Sequence, residues 1–527
     1  MKSSSRSIFW LLLLFLPLGL MAQDIVYSEP DRDDPRTVNF EVLGKVGGNV
    51  VVYKNFREQH SFSIYDADMK QLAKIKAAFI PERVKVLSTD AVLYGDYFYF
   101  FYQYQQKSIV YAMAVKLNGN GKMMADPVLL DTTSNINYTV NSSIYTFLAS
   151  EDKQKLAVFK IATREKFHKI SSVVFDAKLE ALEHVSIDVP VGFKNDFLGE
   201  FGLDNQGGLV FLREGGSGAN GADGIVRLSF MYKPLGASRA VVSEVNLRGL
   251  NLDDTRVKID NRNGKVIISS FYAKIRKGNI DGLFYYLWDR NALKEAQNTA
   301  FPFSDEFREE IRGDSPAKTA FNEFYLKNII LRKDGGFMLV AESVYISSRG
   351  NNMNRWDYMN RSPFWTPGLG TGMMMGPMDF YSFNSPMWGS PWGGFNGPYW
   401  GGGTGNSVTR YFADNVAILS FAPDGKLEWS NIIRKTQYDD NTENFIGFGL
   451  LNAGSQIRFL FNLQDKRTTI LTDQALSPDG QIDRNPTIKN PERGYDFMPK
   501  HLKQIGSQSV VIPCMYKGFI CFAKIDY

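Results

Sequence analysis

Neighbouring acidic residues are the side chains whose type and spacing come closest to catalytic chemistry in this sequence. They occur at Asp31-Arg32-Asp33-Asp34, Asp253-Asp254 and Asp439-Asp440. Two carboxyl groups held about 5 to 10 Å apart could cleave a glycosidic bond, one as an acid and the other as a base or nucleophile. Adjacent acids in polar loops more often form solvated turns. We therefore predict turns at these positions and no catalytic pair.

The four histidines do not indicate a metal site or a catalytic motif. They stand at positions 60, 168, 184 and 501, and none has the spacing of a metal-binding motif or adjoins a recognisable nucleophile. We expect His60, His168, His184 and His501 to lie on the surface or in turns. Because no catalytic residue, cofactor site or metal site is predicted, we expect that the protein is not an enzyme.

Two cysteines, Cys514 and Cys521, lie close together near the end of the chain. If Lys517-Gly518 forms a two-residue hairpin turn, the two cysteines face each other in a hydrogen-bonded strand pair. The wider backbone spacing of such a pair would strain a disulfide. A disulfide and two packed thiols both remain open, and two cysteines exclude a disulfide framework.

A segment between Gly350 and Arg410 is rich in large apolar side chains. It holds five of the chain's eight tryptophans and seven of its 17 methionines, and it is uncharged from Phe380 to Thr409. Trp, Met and Tyr are favoured anchors of protein interfaces, whereas the interspersed Gly and Pro prevent a regular helix or central strand. The predicted partner-binding residues are Trp356, Trp365, Met373, Met374, Met375, Met378, Trp388, Trp392 and Trp400.

Three interpretations of this segment remain open. It could be a low-complexity loop, although such loops are usually poor in aromatic residues. It could be a docking arm for a protein partner, or it could make shallow contact with a membrane surface through Trp and Tyr. Its thioethers could bind Cu(I), but no His or Cys accompanies them. We adopt the docking arm, with an envelope protein as the partner.

The rest of the sequence repeats one unit, in which a strand, a turn and two further strands follow one another. NIILRKDGGFMLVAES, for example, resumes as NVAILSFAPDGKLEWSNII beyond the apolar segment. The last apolar residues of successive third strands are 50, 60, 55, 57, 134, 50 and 54 residues apart: Tyr65, Val115, Phe175, Phe230, Leu287, Phe421, Leu471 and Ile525. Such a period, with strands and almost no helix, predicts an all-β fold, the β-propeller.

The repeat favours eight blades, with seven still open. The N-terminal piece DIVYSEP could supply the missing outer strand of the last blade and close the ring by pairing with the C-terminal strand. We expect the propeller domain to cover residues 23–527, interrupted by an insertion at 346–412 inside one blade. A shorter insertion at 296–322 should hold a helix capped by Ser304, and the two insertions could share a face.

The N-terminus has the pattern of a secretory signal. Lys2 and Arg6 precede a short apolar stretch, and cleavage after Ala22 would remove residues 1–22. The stretch LPLGLMAQD resembles signal peptides of Bacteroidota, a Gram-negative group, which implies export to the periplasm or the outer-membrane surface. Removing Lys2 and Arg6 lowers the formal net charge from +4 to +2. This small excess does not predict a nucleic-acid partner.

The stretch Ala422-Pro423-Asp424-Gly425-Lys426-Leu427-Glu428-Trp429 resembles the tryptophan-docking motif of quinoprotein-like propellers. That family repeats the motif in most blades, whereas this chain has it once. The resemblance therefore implies a propeller and no cofactor.

These patterns together predict a non-catalytic exported propeller that acts as a scaffold and binds a protein partner at the cell envelope through the insertion. The alternative is a glycan-binding or glycan-cleaving propeller that acts at its central channel, with the insertion as a lid.

Overall fold

The structure is a computed structural model that describes residues 24–31, 38–56, 58–140, 143–164, 166–192, 196–216, 224–312, 321–348, 351–352, 409–440, 442–465, 468–484 and 494–527. Within these ranges the regular elements are β-strands, apart from helix α1 (Asp305–Arg312) and a 3-10 turn at Pro499–His501. No helix in the described ranges is long and apolar enough to span a membrane.

The described strands form seven antiparallel sheets, which divide into eight blades of at least four strands each, numbered 1 to 8. After β1 (Asp24–Tyr27), blade 1 contains β2 (Val38–Val46), β3 (Asn49–Phe56), β4 (Gln59–Tyr65) and β5 (Gln71–Lys76). Blade 2 contains β6 (Lys85–Leu93), β7 (Tyr97–Gln106), β8 (Ile109–Asn118) and β9 (Val128–Thr133). Blade 3 contains β10 (Tyr145–Ala149), β11 (Lys155–Thr163), β12 (Phe167–Asp176) and β13 (Ala181–Pro190).

Blades 4 and 5 share one sheet through a two-residue strand. Blade 4 contains β14 (Asp196–Leu203), β15 (Leu209–Gly216), β16 (Ile225–Lys233) and β17 (Val241–Val245). The connecting strand β18 (Asn251–Leu252) pairs with both β16 and the second strand of blade 5. Blade 5 contains β19 (Arg256–Asp260), β20 (Lys265–Ala273), β21 (Gly282–Asp289) and β22 (Lys294–Pro302).

Blades 6 to 8 complete the series. Blade 6 contains β23 (Phe324–Leu331), β24 (Phe337–Ser348), β26 (Thr409–Phe421) and β27 (Leu427–Ile433), with the short strands β25 (Asn351–Asn352) and β28 (Tyr438–Asp440) at its edge. Blade 7 contains β29 (Phe448–Asn452), β30 (Ile457–Asp465), β31 (Thr468–Leu476) and β32 (Ile482–Arg484). Blade 8 contains β33 (Tyr495–Phe497), β34 (Lys503–Gln504), β35 (Ser509–Tyr516) and β36 (Phe519–Asp526).

The first and last described strands pair with each other, as predicted. β1 adds to β36 in antiparallel register, from Asp24 opposite Asp526 to Tyr27 opposite Ala523. The N-terminal strand is thus the outer strand of blade 8. The all-β propeller fold and the pairing of the terminal strands are confirmed.

The hydrophobic core lies between the blades. Each of the eight clusters of buried apolar residues in the described chain joins two consecutive blades. One of them packs Phe40 and Val52 of blade 1 against Val511 and Phe522 of blade 8. Each blade therefore contacts two others, and every sheet has both faces covered. Strands covered on both faces need apolar residues without strict alternation, which explains runs such as YFYFFYQY in β7.

Strands β24 and β26 continue past blade 6 as a hairpin. Their pairing extends from Val344 opposite Ala413 to Ser348 opposite Thr409. The predicted contact residues of the insertion lie beyond this point. Helix α1 lies at the base of the hairpin, where the Asn415 side-chain amide donates to the Ile311 carbonyl over 3.1 Å. Ser304 caps α1 as predicted, because its Oγ accepts from the Phe307 N–H at 3.2 Å.

Trp429, the tryptophan of the stretch that resembles a tryptophan-docking motif, packs between two blades. It lies on β27 and contacts the turn of blade 7 that contains Gly480. Gly480 has a φ of +86°, and a Cβ added there would lie 2.6 Å from the indole ring. Glycine is therefore required both by the backbone conformation and by the ring beside it.

The predicted register of the two cysteines is observed. Cys514 of β35 lies opposite Cys521 of β36, and the turn residues Lys517 and Gly518 have φ values of 49° and 84°. Both thiols are free and buried, with their Sγ atoms 3.0 Å apart. Burial and the neighbouring Cys521 thiol raise the pKa of Cys514 well above its usual value.

The prediction that all four histidines are surface or turn residues is wrong for three of them. His60, His168 and His501 are buried, whereas His184 is exposed. The His60 Nδ1 lies 2.5 Å from the Tyr53 hydroxyl, and burial lowers the pKa of His60 to about 4. An imidazole can satisfy its nitrogens inside a blade, so spacing alone does not place it at the surface.

Candidate active site

A cavity of about 500 Å³ lies against the first strands of blades 4 to 7 and the 3-10 turn of blade 8. First strands of neighbouring blades contact one another, as β14 does with β19 and β19 with β23. This is the arrangement of strands around the central channel of a propeller. The cavity therefore lies at the channel, where side chains from several blades converge.

Glu200 of β14 is the most unusual residue of the cavity wall. It is 6% exposed and has a φ of 53°, in the left-handed region that non-glycine residues rarely adopt. The pairing register of β14 shifts between Gly199 and Gly202, so a bulge redirects the strand at this position. Bulges and left-handed residues cluster at functional sites because they aim a side chain at the cost of strain.

The Glu200 carboxylate is fixed by the adjacent blade. Its Oε2 accepts from the Val257 backbone N–H over 2.9 Å, and its Oε1 lies 3.4 Å from Arg256 Nη1. Arg256 also binds Asp254, with Nη2 and Oδ2 2.7 Å apart. The Arg256 guanidinium therefore pairs with two carboxylates, and its contact with Glu200 is longer than its contact with Asp254.

A third carboxylate, that of Glu214 on β15, belongs to the same cluster. It accepts a hydrogen bond from the Thr255 hydroxyl. Burial raises the pKa of Glu214 to about 8, and the charges of Glu200 and Asp254 raise it further than Arg256 lowers it. Burial likewise raises the pKa of Glu200 to about 7, against the opposing charge of Arg256. Because three carboxylates lie around Arg256 and the pKa values of two of them are raised to about 7 and 8, the cluster holds a proton at neutral pH.

Glu342 of β24 lines the same cavity, but its pKa is shifted in the opposite direction to that of Glu200. Its Oε1 lies 2.8 Å from the Lys435 ammonium, and its Oε2 lies 3.5 Å from that of Lys327. Burial alone would raise the pKa of Glu342, but the two lysines outweigh burial and hold this pKa below its usual value. Glu342 is therefore a fixed anion that positions Lys327 at the cavity.

Apolar side chains complete the wall. Ile329, Phe448 and Leu450 lie on the first strands of blades 6 and 7, and Leu502 follows the 3-10 turn of blade 8. Asn328, Glu443 and Lys500 add polar groups beside them. Partly apolar walls with a few placed polar groups are typical of small-molecule and saccharide sites.

Comparison with known proteins identifies no family and returns several solved structures. No family model matches the chain, and no curated protein matches it. A prolyl endopeptidase structure is 9% identical, with a TM-score of 0.34, over 84% of this chain and 55% of that one. The polysaccharide lyase Uly1 is 11% identical, with a TM-score of 0.38, over 85% of this chain and 90% of that one.

Prolyl oligopeptidase B from Galerina marginata is 8% identical, with a TM-score of 0.40, over 92% of this chain and 56% of that one. The chain thus spans about half the length of the two peptidases. These neighbours are enzymes, which contradicts two sequence predictions: the non-catalytic scaffold and the absence of enzymatic function. Their similarity is too low to assign a reaction, so the choice of a reaction depends on the cavity.

The predicted docking residues cannot be placed at this cavity. Residues 353–408, which contain all the predicted Trp and Met contacts, lie outside the described ranges. Among the described residues, no group of three or more His, Cys, Asp or Glu side chains could hold a metal ion. The sequence analysis did not single out any of the residues that line the cavity as a functional residue; Asp254, which it did name, lies behind the wall and pairs with Arg256.

The prediction of solvated turns for the acidic pairs is wrong in part. Asp253 is 5% exposed, and Asp254 is held by Arg256 beside the cavity. Burial raises the pKa of Asp439 to about 7, whereas its neighbour Asp440 pairs with Arg410 at an exposed position. Asp31 binds the buried Lys54. Adjacent acids can thus point to opposite sides of a strand, one inward and the other into solvent.

One local feature of the sequence could have identified Glu200 as a candidate functional residue. It is the single charged residue between Phe197 and Leu203 in an otherwise apolar or glycine-containing strand. A charge inside such a strand indicates either a partner or a function. Its partner Arg256 is 56 residues away, and no sequence pattern connects the two.

Proposed function

We propose that the protein is an enzyme that cleaves a glycan in the central cavity by acid–base catalysis, with Glu200 as the residue that donates or accepts the proton. The observation that carries this proposal is the Glu200 carboxyl itself. It is buried at the cavity wall on a left-handed backbone, and its pKa is about 7. An acid–base catalyst works best when its pKa is near the working pH.

The chemistry follows from the protonation of the cluster. Near pH 7 both forms of Glu200 are populated. The neutral form can protonate the leaving glycosidic oxygen while a water molecule adds to the anomeric carbon and loses its proton to solvent. Alternatively, the ionised form can take the proton next to a uronate carboxyl and pass it to the leaving oxygen, as the C–O bond breaks and a carbon–carbon double bond forms. Val257 holds one carboxyl oxygen, and the longer contact with Arg256 leaves the other better able to meet a substrate. Glu214, whose pKa is about 8, stays mainly protonated behind it.

A glycan fits this cavity because a sugar ring has both hydroxyl groups and an apolar face. Asn328 and Glu443 can exchange hydrogen bonds with hydroxyls, and the partly exposed Phe448 offers a ring face for stacking. Since residues 1–22 predict export, we propose that the glycan is met in the periplasm or at the outer-membrane surface.

The test is a cleavage assay on purified protein with a panel of neutral and acidic polysaccharides. New reducing ends and unsaturated products absorbing near 235 nm are measured for the wild type and for Glu200→Gln. Glu295→Gln is the matched control, because Glu295 is exposed on β22 of blade 5. We expect cleavage by the wild type and the control, and cleavage that is slower by about a hundredfold or more in Glu200→Gln. Equal cleavage by all three proteins would refute the role of Glu200.

A further inference from the structure

Four basic side chains line the cavity. Arg256 and Lys258 lie two residues apart on β19, and both are partly exposed, whereas Val257 between them is buried. Alternation along a strand therefore directs both toward the cavity. Lys327 comes from β23 and Lys500 from the 3-10 turn of blade 8.

The carboxylates that line the cavity do not cancel this charge. Glu342 is compensated mainly from behind by Lys435, which is fully buried and 2.8 Å away, whereas Lys327 is 3.5 Å away and 26% exposed. Glu443 lies 3.4 Å from Lys500, at a position where both side chains remain about one quarter exposed. Glu200, which has a pKa of about 7, is neutral part of the time. Arg256 adds nothing to the surplus, because Asp254 and Glu200 already bind it. The other three basic groups on the wall, Lys258, Lys327 and Lys500, outnumber Glu342 and Glu443, so this part of the cavity has a surplus of positive charge.

For two of the lysines, Lys258 and Lys327, burial disfavours the charged ammonium form. Burial lowers the pKa of Lys258 and also that of Lys327. For Lys327, Glu342 and Glu443 oppose the effect of burial, and Lys500 adds repulsion. An anion that enters the cavity would offset both effects, because an opposite charge favours the ammonium form. A neutral ligand would leave the repulsion in place.

We infer that the cavity selects a glycan that carries a negative charge, either a carboxylate or a sulfate ester, and that Lys327 and Lys500 bind this charge. The inference depends on the proposed function, since it names the substrate class of the same site. The charged group would lie on the side of the cavity formed by blades 6 and 8, whereas Glu200 acts from blade 4.

The experiment compares charged polymers with their own neutral forms. The wild-type protein is assayed for binding by affinity electrophoresis, and for cleavage, with polygalacturonate, alginate and carrageenan. The carboxyl-reduced forms of the first two and desulfated carrageenan are the neutral partners. We expect binding and cleavage only with charged forms, and the polymer that responds distinguishes carboxylate from sulfate. Equal action on charged and neutral forms would overturn the inference and leave the proposed function intact.

Variants test the assigned lysines. We expect Lys500→Met and Lys327→Gln each to raise KM about tenfold, with kcat changed far less, since each removes one charge-assisted contact with the substrate. Lys426→Met is the control, because the side chain of Lys426 is 83% exposed on the turn before β27. An unchanged KM in Lys500→Met, with the fold intact by circular dichroism, would overturn the inference. Absence of both binding and cleavage with every polymer would overturn the proposed function as well.

Discussion

Glu200 and Glu342 are the same residue type at the same cavity and with similar burial, yet their pKa values are shifted in opposite directions. Glu200 is 6% exposed and shares one arginine with Asp254, so burial prevails and its pKa rises to about 7. Glu342 is 3% exposed and pairs with two lysines, Lys435 and Lys327, so its pKa falls. The balance of neighbouring charges decides which carboxylate can exchange a proton.

This difference assigns two roles. When two titratable groups in one active site have well-separated pKa values, one can transfer protons while the other keeps a fixed charge. Glu200 is the carrier, and Glu342 keeps Lys327 and Lys435 in place. Substitution of Glu200 should therefore affect activity more than stability, and substitution of Glu342 should affect stability more than activity.

The largest effect is expected for Glu200→Gln in the cleavage assay. Loss of the proton-transfer group should lower kcat by about 10²- to 10⁴-fold. The isosteric amide should leave stability at pH 8 unchanged or higher, because it removes a carboxylate that burial penalises. Activity is measured together with urea unfolding. A large loss of stability would indicate a structural role instead.

The opposite pattern is expected for Glu342→Gln. Removing this anion takes away the ion-pair partner of the buried Lys435 and leaves only the weaker attraction of Asp414, which should cost about 3 kcal/mol of unfolding free energy. Adding Lys435→Met removes the second charge and should recover much of the loss. Urea unfolding of the single and double variants measures both. A single variant as stable as the wild type would contradict the fixed-anion role.

The pH dependence of stability should separate the two carboxylates. The folded-state pKa values of Glu200 and Glu214, about 7 and 8, exceed the ordinary 4.5. Their contribution to stability is therefore fully present below pH 4.5 and is lost as the pH rises through 7 to 8. The lowered pKa of Glu342 acts in the other direction and only below pH 4.5.

Unfolding free energies at pH 5 and pH 8 test this difference. The wild type should lose more stability over this range than the Glu200→Gln/Glu214→Gln double variant. Other buried acids with raised pKa values, such as Asp90 and Asp439, contribute equally to both proteins and cancel in the difference. Identical pH slopes would show that the two glutamates titrate normally.

The smallest effect is expected for Arg256→Met. Arg256 is the cation that lowers the pKa of Glu200, so its removal should raise the midpoint of the pH–rate profile by about one pH unit. Arg256→Lys keeps the charge and should shift the midpoint less. A midpoint that moves downward in Arg256→Met would contradict the assigned contact.

The fold was more accessible to sequence reasoning than the site. Repeated strand patterns, the Lys517-Gly518 turn and DIVYSEP predicted the propeller, the cysteine register and the terminal strand pair, because each is a local pattern. The site depends on contacts between residues distant in the sequence, such as Glu200 with Arg256 and Glu342 with Lys435. It also depends on burial: Asp253, which was expected in a solvated turn, is 5% exposed, and its neighbour Asp254 pairs with Arg256.

The most direct test of the central claim is to titrate the glutamate carboxyl carbons by NMR with selective ¹³C labelling of glutamate, assigning signals by their loss in Glu200→Gln, Glu214→Gln and Glu342→Gln. We predict that Glu200 and Glu214 titrate together with apparent pKa values near 7 and 8. Glu342 should stay ionised to below its ordinary value of 4.5. A Glu200 signal that titrates near 4.5, alongside Glu342, would contradict the account.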